Sequence, residues 1–417
     1  MMKQKNIFAW ALYDWANSVY ATLVIAGFFP VVFKHYWAGN LTTEQSTFWL
    51  GSANGIASLL IVIAAPVLGA IGDISSIRKH MLFGFMLLGA LATASFYSVD
   101  AGSWEIALSL YVLGTVGFMA ANVFYDSLLV NVSNETNVDK VSGLGYALGY
   151  LGGGLLLAVG VYLSQNYAQL GFASAMDTLL VSFVLAALWW FMFSLPLMAW
   201  VRETRLSTRD TSQGFMQQVF ADTWRSLRHV FQHRQIGLFL LAYWVYIDGI
   251  DTIIRMAVDY GLSLGFGMND LITALLITQF VGFPAAIVYT RLARRVGIKQ
   301  ALIGGLVLYL GITLLGYQMD TTREFYILAV LIGLVQGGVQ ALSRSLYSRM
   351  IPVERSAEFF GIYNMMGKAA AVLGPILMGL VAIISNNHRL SLLSVSVLFI
   401  IGIVLLLKID IGHIRDD

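Results

Sequence analysis

The chain has 417 residues, of which 58% are hydrophobic and 12% charged, with a mean hydropathy of +0.75, a makeup that excludes a water-soluble globule and points to an integral membrane protein. A net charge of +2 gives no ground for nucleic-acid binding, and the absence of cysteine removes disulfides, thiolate metal sites and a cysteine nucleophile.

Crossing the hydrocarbon core takes about 20 residues of helix. Twelve apolar runs of about that length follow one another along the chain. Six lie at 7–33, 48–71, 81–99, 105–130, 141–163 and 178–201, and six at 236–258, 270–290, 300–319, 324–343, 357–384 and 391–409. The expected fold is all-α, with twelve transmembrane helices in two pseudo-symmetric bundles, residues 1–201 and 236–417, joined by a linker at 202–235. The first run can itself start insertion, so no cleavable signal is required. With the N-terminus in the cytoplasm, twenty of the 25 Lys and Arg fall in inside segments. Only Lys34, Arg323 and Arg389 fall outside, and Arg255 and Lys368 lie within spans. The positive-inside rule then places both termini in the cytoplasm of a multi-pass protein of the bacterial inner membrane.

In the first span Trp10, Asp14, Asn17 and Ser18 sit at the spacing that Trp244, Asp248, Asp251 and Thr252 repeat in the seventh. An ionised carboxylate near the bilayer centre costs at least about 2.5–3.5 kcal/mol, so its recurrence suggests a duplicated polar site. The fourth span echoes the tenth in the same way, Asn122, Asp126, Ser127 and Leu128 against Gln340, Arg344, Ser345 and Leu346. Four residues make about one helical turn, so each pair shares a face. The change of sign from Asp126 to Arg344 would let the halves attract. In the fifth span Gly145, Gly149, Gly152, Gly153 and Gly154 leave one face almost bare, suited to close approach and sliding.

The linker carries Phe215, Val219, Leu227, Val230 and Phe231 roughly on one face, the pattern of an interfacial amphipathic helix on the membrane surface. His229 and His233 are four apart but lack a third ligand, so no metal is expected. The glycosylation-like triplets at Asn131 and Asn134 fall on the inside and are chance matches.

Along the seventh span Asp248, Asp251, Arg255 and Asp259 stack on one helix face. Arg255 can pair with Asp251 and Asp259 in a structural ladder or offer its charge to a ligand. Asp248 has no basic residue one turn away and lies about 18 Å along its helix, near the midplane. Desolvation disfavours its charged form, so it can exchange protons near neutrality. Asp14 has the same merit, although Asn17 could hold it in a static role. Lys368 is the cation of the eleventh span, free to snorkel or to meet a ligand. Gly374-Pro375 further along is a hinge or a packing feature.

The loop after the second span, Gly69-Ala-Ile-Gly-Asp73-Ile-Ser-Ser-Ile-Arg78-Lys79, resembles the motif that the major facilitator superfamily carries between its second and third helices. Its counterpart, Arg291-Leu-Ala-Arg-Arg-Val-Gly297-Ile-Lys299, has Arg294 where the superfamily usually has aspartate. Four further stretches together resemble the vacuole-effluxer-like branch. They are Tyr13-Asp14-Trp15-Ala16-Asn17-Ser18, the run Gly145 to Gly154, the run Gly333 to Leu346, and Glu358-Phe-Phe-Gly361-Ile-Tyr363-Asn364. The branch includes fungal vacuolar exporters of neutral amino acids and bacterial members without an assigned substrate. The resemblance implies a central cavity lined by helices one, four, seven and ten. Tyr150 stands where superfamily antiporters carry proline, and Asn122 and Asp126 lie where proton antiporters have arginine.

These readings converge on a secondary transporter that moves a small polar or zwitterionic solute, foremost a neutral amino acid, by alternating access driven by a proton gradient. Asp14 and Asp248 are the expected proton-coupling groups. Tyr13, Asn17, Asn122, Asp251, Arg255, Gln336, Gln340, Tyr363, Asn364 and Lys368 are the expected solute contacts. Asp73, Arg78, Lys79, Asp126 and Arg344 are the expected ion-pair or gating residues. A carboxylate-bearing metabolite could use the same cations, and a membrane sensor could use the same cavity without transport. The chain has no nucleotide-cradling glycine loop, serine elbow or metal cluster, so neither enzyme activity nor a cofactor is expected. A monomer in the lipid bilayer is the expected state.

Overall fold

The computed structural model describes residues 2–203, 214–370, 373–385 and 388–410. Arg205, Arg209 and Arg415, counted above among the inside cations, lie outside them. Six helices build the first half: α1 (Met2–Val19), α2 (Thr43–Ile74), α3 (Arg78–Ser95), α4 (Trp104–Ser127), α5 (Val138–Gln165) and α6 (Ala175–Trp200). A linker helix (Phe215–Gln232) leads to the second half. That half holds α7 (Arg234–Ser263), α8 (Met268–Val296), α9 (Ile298–Gln318), α10 (Thr322–Met350), α11 (Ser356–Ala370), α12 (Leu373–Ser385) and α13 (Ser396–Leu407). Among the described residues eleven helices are long and apolar enough to cross a membrane. The expected eleventh span is occupied by α11 and α12, on either side of residues 371–372. The structure is a twelve-span major facilitator fold.

Sequence chemistry explains where several helices begin. Thr42 and Gln45 cap α2 reciprocally, as Ser174 and Asp177 cap α6 and Thr321 and Glu324 cap α10, each pair satisfying first-turn N–H groups that otherwise lack acceptors. The turn from α8 to α9 needs Gly297, whose φ of 91° is costly for any residue with a Cβ. The first span is longer than its apolar run suggests, Gln4–Trp37, and beyond α1 it passes through π-helical turns at Tyr20–Gly27 and Phe33–Trp37.

Each half has its own apolar core, one centred on Trp10, Tyr20, Phe29, Phe124 and Trp190, the other on Phe239, Tyr246, Tyr309, Tyr347 and Phe399. The linker helix departs from the expected membrane-surface arrangement. Its buried stripe, Val219, Asp222, Thr223, Ser226 and Val230, turns onto α2, α7 and α11, while Phe220 and Trp224 are exposed. The cause is polar as well as apolar, since Arg355 before α11 donates to the Asp222 carbonyl at 3.0 Å. The side chains of Phe215, His229 and Phe231 lie outside the described residues.

Candidate transport site

The bare face of α5 lets α1 approach closely enough for a carboxylate to sit between them. A Cβ added to Gly145 would lie 2.9 Å from Asp14 Oδ2, and one added to Gly149 would lie 3.2 Å from Asp14 Oδ1. Within that space Asp14 accepts from Tyr125 Oη at 3.1 Å and from Ser18 Oγ at 3.4 Å. Asn17 does not bond it, as one reading had allowed, but donates to Asn122 Oδ1 on α4 at 2.5 Å. Tyr13 is fully buried, with its ring 4.9 Å from that of Tyr125.

Arg344 of α10 closes this cluster from the other half. Its Nη1 donates to Asp126 Oδ1 at 3.0 Å and lies 3.7 Å from Asp14 Oδ2. Its Nε and Nη2 donate to the Ser142 hydroxyl and carbonyl, each at 3.0 Å. The guanidinium also lies over the rings of Trp10 at 4.8 Å, Tyr125 at 5.4 Å and Tyr146 at 4.4 Å. Asn364 of α11 supplies a second tie, donating to Asp126 Oδ2 at 3.0 Å. A buried arginine is tolerable only with its donors satisfied and its charge matched, and both conditions hold here. Ser142, Tyr146 and Trp10 take part although the sequence reading did not select them as site residues. Their signal lay in the glycine-rich run and the duplicated tryptophan, which had been read as mechanics and repeat markers.

Asp248, expected to have no fixed partner, is fully buried and has one. Both of its carboxylate oxygens accept the Gly374 N–H, at 3.0 and 3.1 Å, and Thr252 Oγ donates to Oδ1 at 3.4 Å. The donor is a backbone group 126 residues away, invisible to a search for basic side chains one turn off. Asp14 and Asp248 share no hydrogen-bond or ion-pair partner among the described residues, so the structure gives each its own setting rather than one shared contact.

Asp251, Arg255 and Lys368 are different. All three are half-buried, and among the described residues none has a hydrogen-bond or ion-pair partner. Arg255 and Asp251, one turn apart, do not form the ladder pair; the Asp259 side chain lies outside the described residues. The charges acting on the Lys368 ammonium are those of Asp251, Arg255 and Asp126. Asp251 and Arg255 on α7 and Lys368 on α11 belong to helices that pack together. Around them Tyr363 stacks on Tyr243, with ring centroids 4.1 Å apart, and Gln336 is half-buried with its carbonyl oxygen unpartnered. Gln340 lies half-buried one turn before Arg344.

At the end of the bundle that carries the N-terminus, Asp73 reaches across to α11. Its carboxylate accepts the Ala357 N–H at 3.2 Å and the Glu358 N–H at 2.8 Å, capping a helix of the opposite half. Arg78 lies 3.6 Å from Asp73, bonds Glu203 through its backbone N–H and its Nε, and donates to Ser356 Oγ at 2.5 Å. Arg349 and Asp139 tie α10 to α5 at 2.7 Å. Lys79 joins it through its backbone N–H, which donates to Glu203 at 3.4 Å. Its ammonium donates to the Met198 and Val201 carbonyls at the end of α6, inside its own half. Glu203, Asp139, Arg349 and Ser356 were not selected from sequence, because their partners lie 125, 210, 210 and 278 residues away in the chain. Among the described residues no group of three or more His, Asp or Glu could hold a metal.

Comparison with known proteins agrees with this architecture. Residues 36–137 and 130–417 match the family described as vacuole effluxer Atg22 like. An uncharacterized MFS-type transporter, YxiO, of Bacillus subtilis is 35% identical over 407 residues, covering 97% of this chain and 94% of that one. Autophagy-related protein 22 of Eremothecium gossypii is 24% identical over 93% of this chain and 87% of its own length. Among solved structures, the human organic anion transporter MFSD10 superposes with a TM-score of 0.77 at 14% identity, covering 97% of this chain and all of that one. The proton:xylose symporter XylE gives 0.75 at 13% identity, covering 98% and 95%. Fold, motifs and relatives agree: the chain is a membrane transporter of the major facilitator superfamily and belongs to its vacuole effluxer Atg22-like family.

Proposed function

We propose that the protein is a secondary transporter of a small polar or zwitterionic solute, foremost a neutral amino acid. The observation that carries this reading is the set of half-buried charges of both signs, Asp251, Arg255 and Lys368, that have no hydrogen-bond or ion-pair partner among the described residues. Leaving a charge unpaired inside a membrane protein is costly, so such a group marks a ligand path. An amine fits Asp251, a carboxylate fits Arg255 and Lys368, and Gln336, Gln340, Tyr363, Asn122 and Asn17 offer polar and aromatic contacts around them. Naming of relatives as autophagy-related vacuolar proteins is consistent with an amino-acid solute but does not select it.

Alternating access in this reading makes and breaks the ties between the halves, Asp73 to α11 and Arg344 to Asp126, while residues 1–201 rock against 236–417 on the 202–235 linker. Proton coupling is assigned to the duplicated carboxylates. Arg344 faces both Asp14 and Asp126, so this knot holds one more negative charge than positive, and a proton on Asp14 offsets the excess. Asp248 offers a second acceptor if α12 moves off it. The protein acts as a monomer in the bacterial inner membrane with both termini in the cytoplasm. A carboxylate-bearing metabolite is the second reading, favoured by the two cations, Arg255 and Lys368, that have no partner among the described residues. Uptake of labelled leucine and labelled succinate into proteoliposomes tests both. Saturable uptake of leucine that is lost in Lys368→Met supports the first, and uptake of succinate alone replaces it with the second.

A further inference from the structure

In the second half, α8, α9 and α10 enclose a groove of about 800 Å³. Phe280, Pro284, Val288 and Leu292 of α8 form one wall, Leu308 of α9 and Leu334 of α10 the others. Phe280, Val288, Leu292 and Leu334 are exposed, so the groove opens outward from spans that lipid surrounds. Only two of its lining residues, Thr273 and Tyr289, have polar side chains, and both are committed. Thr273 Oγ donates to the Asn269 carbonyl and Tyr289 Oη to the Ala301 carbonyl, each at 2.7 Å. The groove thus offers a polar solute no partner, and an alkyl chain is the chemistry that fits it. Glycine marks the α9 wall. Gly304 and Gly311 stand one turn either side of Leu308, and a Cβ added to either would meet nothing within 4 Å. Glycine inside a helix costs about 0.5–1 kcal/mol against alanine. Close packing does not account for these two, as contact with Tyr289 accounts for Gly305 and Gly338.

The groove leads to a charged end. Along α8 the row Pro284, Val288 and Leu292 continues to Arg295, with Arg291 and Arg294 on the same last turns. All three arginines are exposed, and none has a hydrogen-bond or ion-pair partner among the described residues. Lys299 beyond the turn is instead occupied by the Leu407 and Ile409 carbonyls. From Phe280 to Leu292 the helix rises about 18 Å, about the depth of one leaflet of a hydrocarbon core about 30 Å thick. The positive-inside rule accounts for the sign of these charges, but not for a concave apolar track that ends beside them. We propose that the groove is a binding site for one anionic phospholipid, with an acyl chain along α8 between α9 and α10 and the phosphate headgroup on Arg291, Arg294 and Arg295. Guanidinium groups suit phosphate oxygens because they donate in pairs. The site is separate from the solute contacts on α7 and α11, and its occupant braces three helices of the second half.

The test is native mass spectrometry of the purified full-length protein in detergent, beside melting temperatures. The protein is titrated with palmitoyl-oleoyl phosphatidylglycerol, with the matching phosphatidylcholine, or with inorganic phosphate. Wild type is expected to retain one phosphatidylglycerol at least about tenfold more strongly than phosphatidylcholine, to gain melting temperature with it, and to bind no inorganic phosphate. Arg291→Gln, Arg294→Gln and Arg295→Gln together are expected to bring phosphatidylglycerol down to the phosphatidylcholine level. Gly304→Leu with Gly311→Leu fills the groove from positions that have free space, and is expected to abolish retention of both lipids. Val288→Trp fills it from an exposed position of α8 and covers the case where the leucine variant does not fold. Equal retention of the two lipids by wild type overturns the proposal. Unchanged phosphatidylglycerol retention in the filled variants also overturns it, and makes the arginines a surface charge patch. Inorganic phosphate bound by wild type and lost with the arginines makes this a simple anion site, and a dimer that dissociates in the filled variants makes the occupant a second copy of the chain; either result overturns the lipid assignment.

Discussion

Asp248, read from sequence as a proton-coupling group, has a fixed backbone partner in place. Its carboxylate answers the N–H of Gly374 near the start of α12, a donor that would otherwise be unsatisfied in an apolar interior. Replacing it with alanine strands that N–H and leaves a void, and the loss of a buried hydrogen-bond partner costs about 1–3 kcal/mol. The expected outcome for Asp248→Ala is a lower melting temperature in detergent, with Asp248→Asn intermediate because its side-chain oxygen can still accept. A melting temperature equal to wild type in Asp248→Ala would show that Gly374 has another acceptor. Gly374 itself is required because a Cβ there would collide with the Thr252 side chain and crowd Asp248 Oδ1 at 3.0 Å. Gly374→Ala should therefore destabilise, and Thr252→Ala in the same chain should restore part of the loss.

At the scale of helices, the junction of α2 with α11 is built from a carboxylate capping a helix of the opposite half. Asp73 is 6% exposed and accepts two first-turn N–H groups, where the helix dipole also favours negative charge. Losing a cap of this kind costs about 1 kcal/mol, about a factor of five in an equilibrium between closed and open junctions. The natural chain has no cysteine, so Ala357→Cys gives a clean reporter at a fully buried position in the junction. Adding Asp73→Ala is expected to raise the rate at which a membrane-impermeant thiol reagent modifies that cysteine about fivefold. An unchanged rate would mean that the junction is held by Arg78 and by Arg349–Asp139 without help from the cap. The spans themselves were legible in sequence because hydropathy acts over whole helices and averages out local exceptions. What hydropathy could not reveal was the π-helical continuation at Tyr20–Gly27, or that the linker helix turns its buried stripe onto protein through Asp222 and Ser226. The second depends on a partner distant in the chain, Arg355.

Across the whole molecule, the two halves meet at Arg344, matched to Asp126 and Asp14 and wrapped by Trp10, Tyr125 and Tyr146. Removing one member of a buried ionic group costs about 3–5 kcal/mol, because the remaining charges keep their desolvation without their counter-ion. Arg344→Gln is accordingly expected to lower stability severely, and Arg344→Gln with Asp126→Asn to recover much of it. Equal destabilisation in single and double variants, measured by thermal unfolding in detergent, would show that the two charges are not coupled. This contact was foreseeable from the inverted sign of the fourth-span and tenth-span repeats, since duplicated helices face one another across the axis that relates them. That Asp14 and Asp248 share no partner among the described residues was not foreseeable from that symmetry. The repeats place both carboxylates at like depth but say nothing of the glycines opposite them, Gly145 and Gly149 in one half and Gly374 in the other.

The central claim is that Asp251, Arg255 and Lys368 receive a solute that the protein carries across the bilayer. Counterflow tests it most directly: proteoliposomes loaded with unlabelled leucine are diluted into a trace of labelled leucine, and the label inside is followed with time. The account predicts transient accumulation of label above its outside concentration in wild type and none in Lys368→Met or Arg255→Met proteins that are folded by melting temperature. Binding of leucine without any accumulation would contradict it, and would make the protein a sensor rather than a carrier.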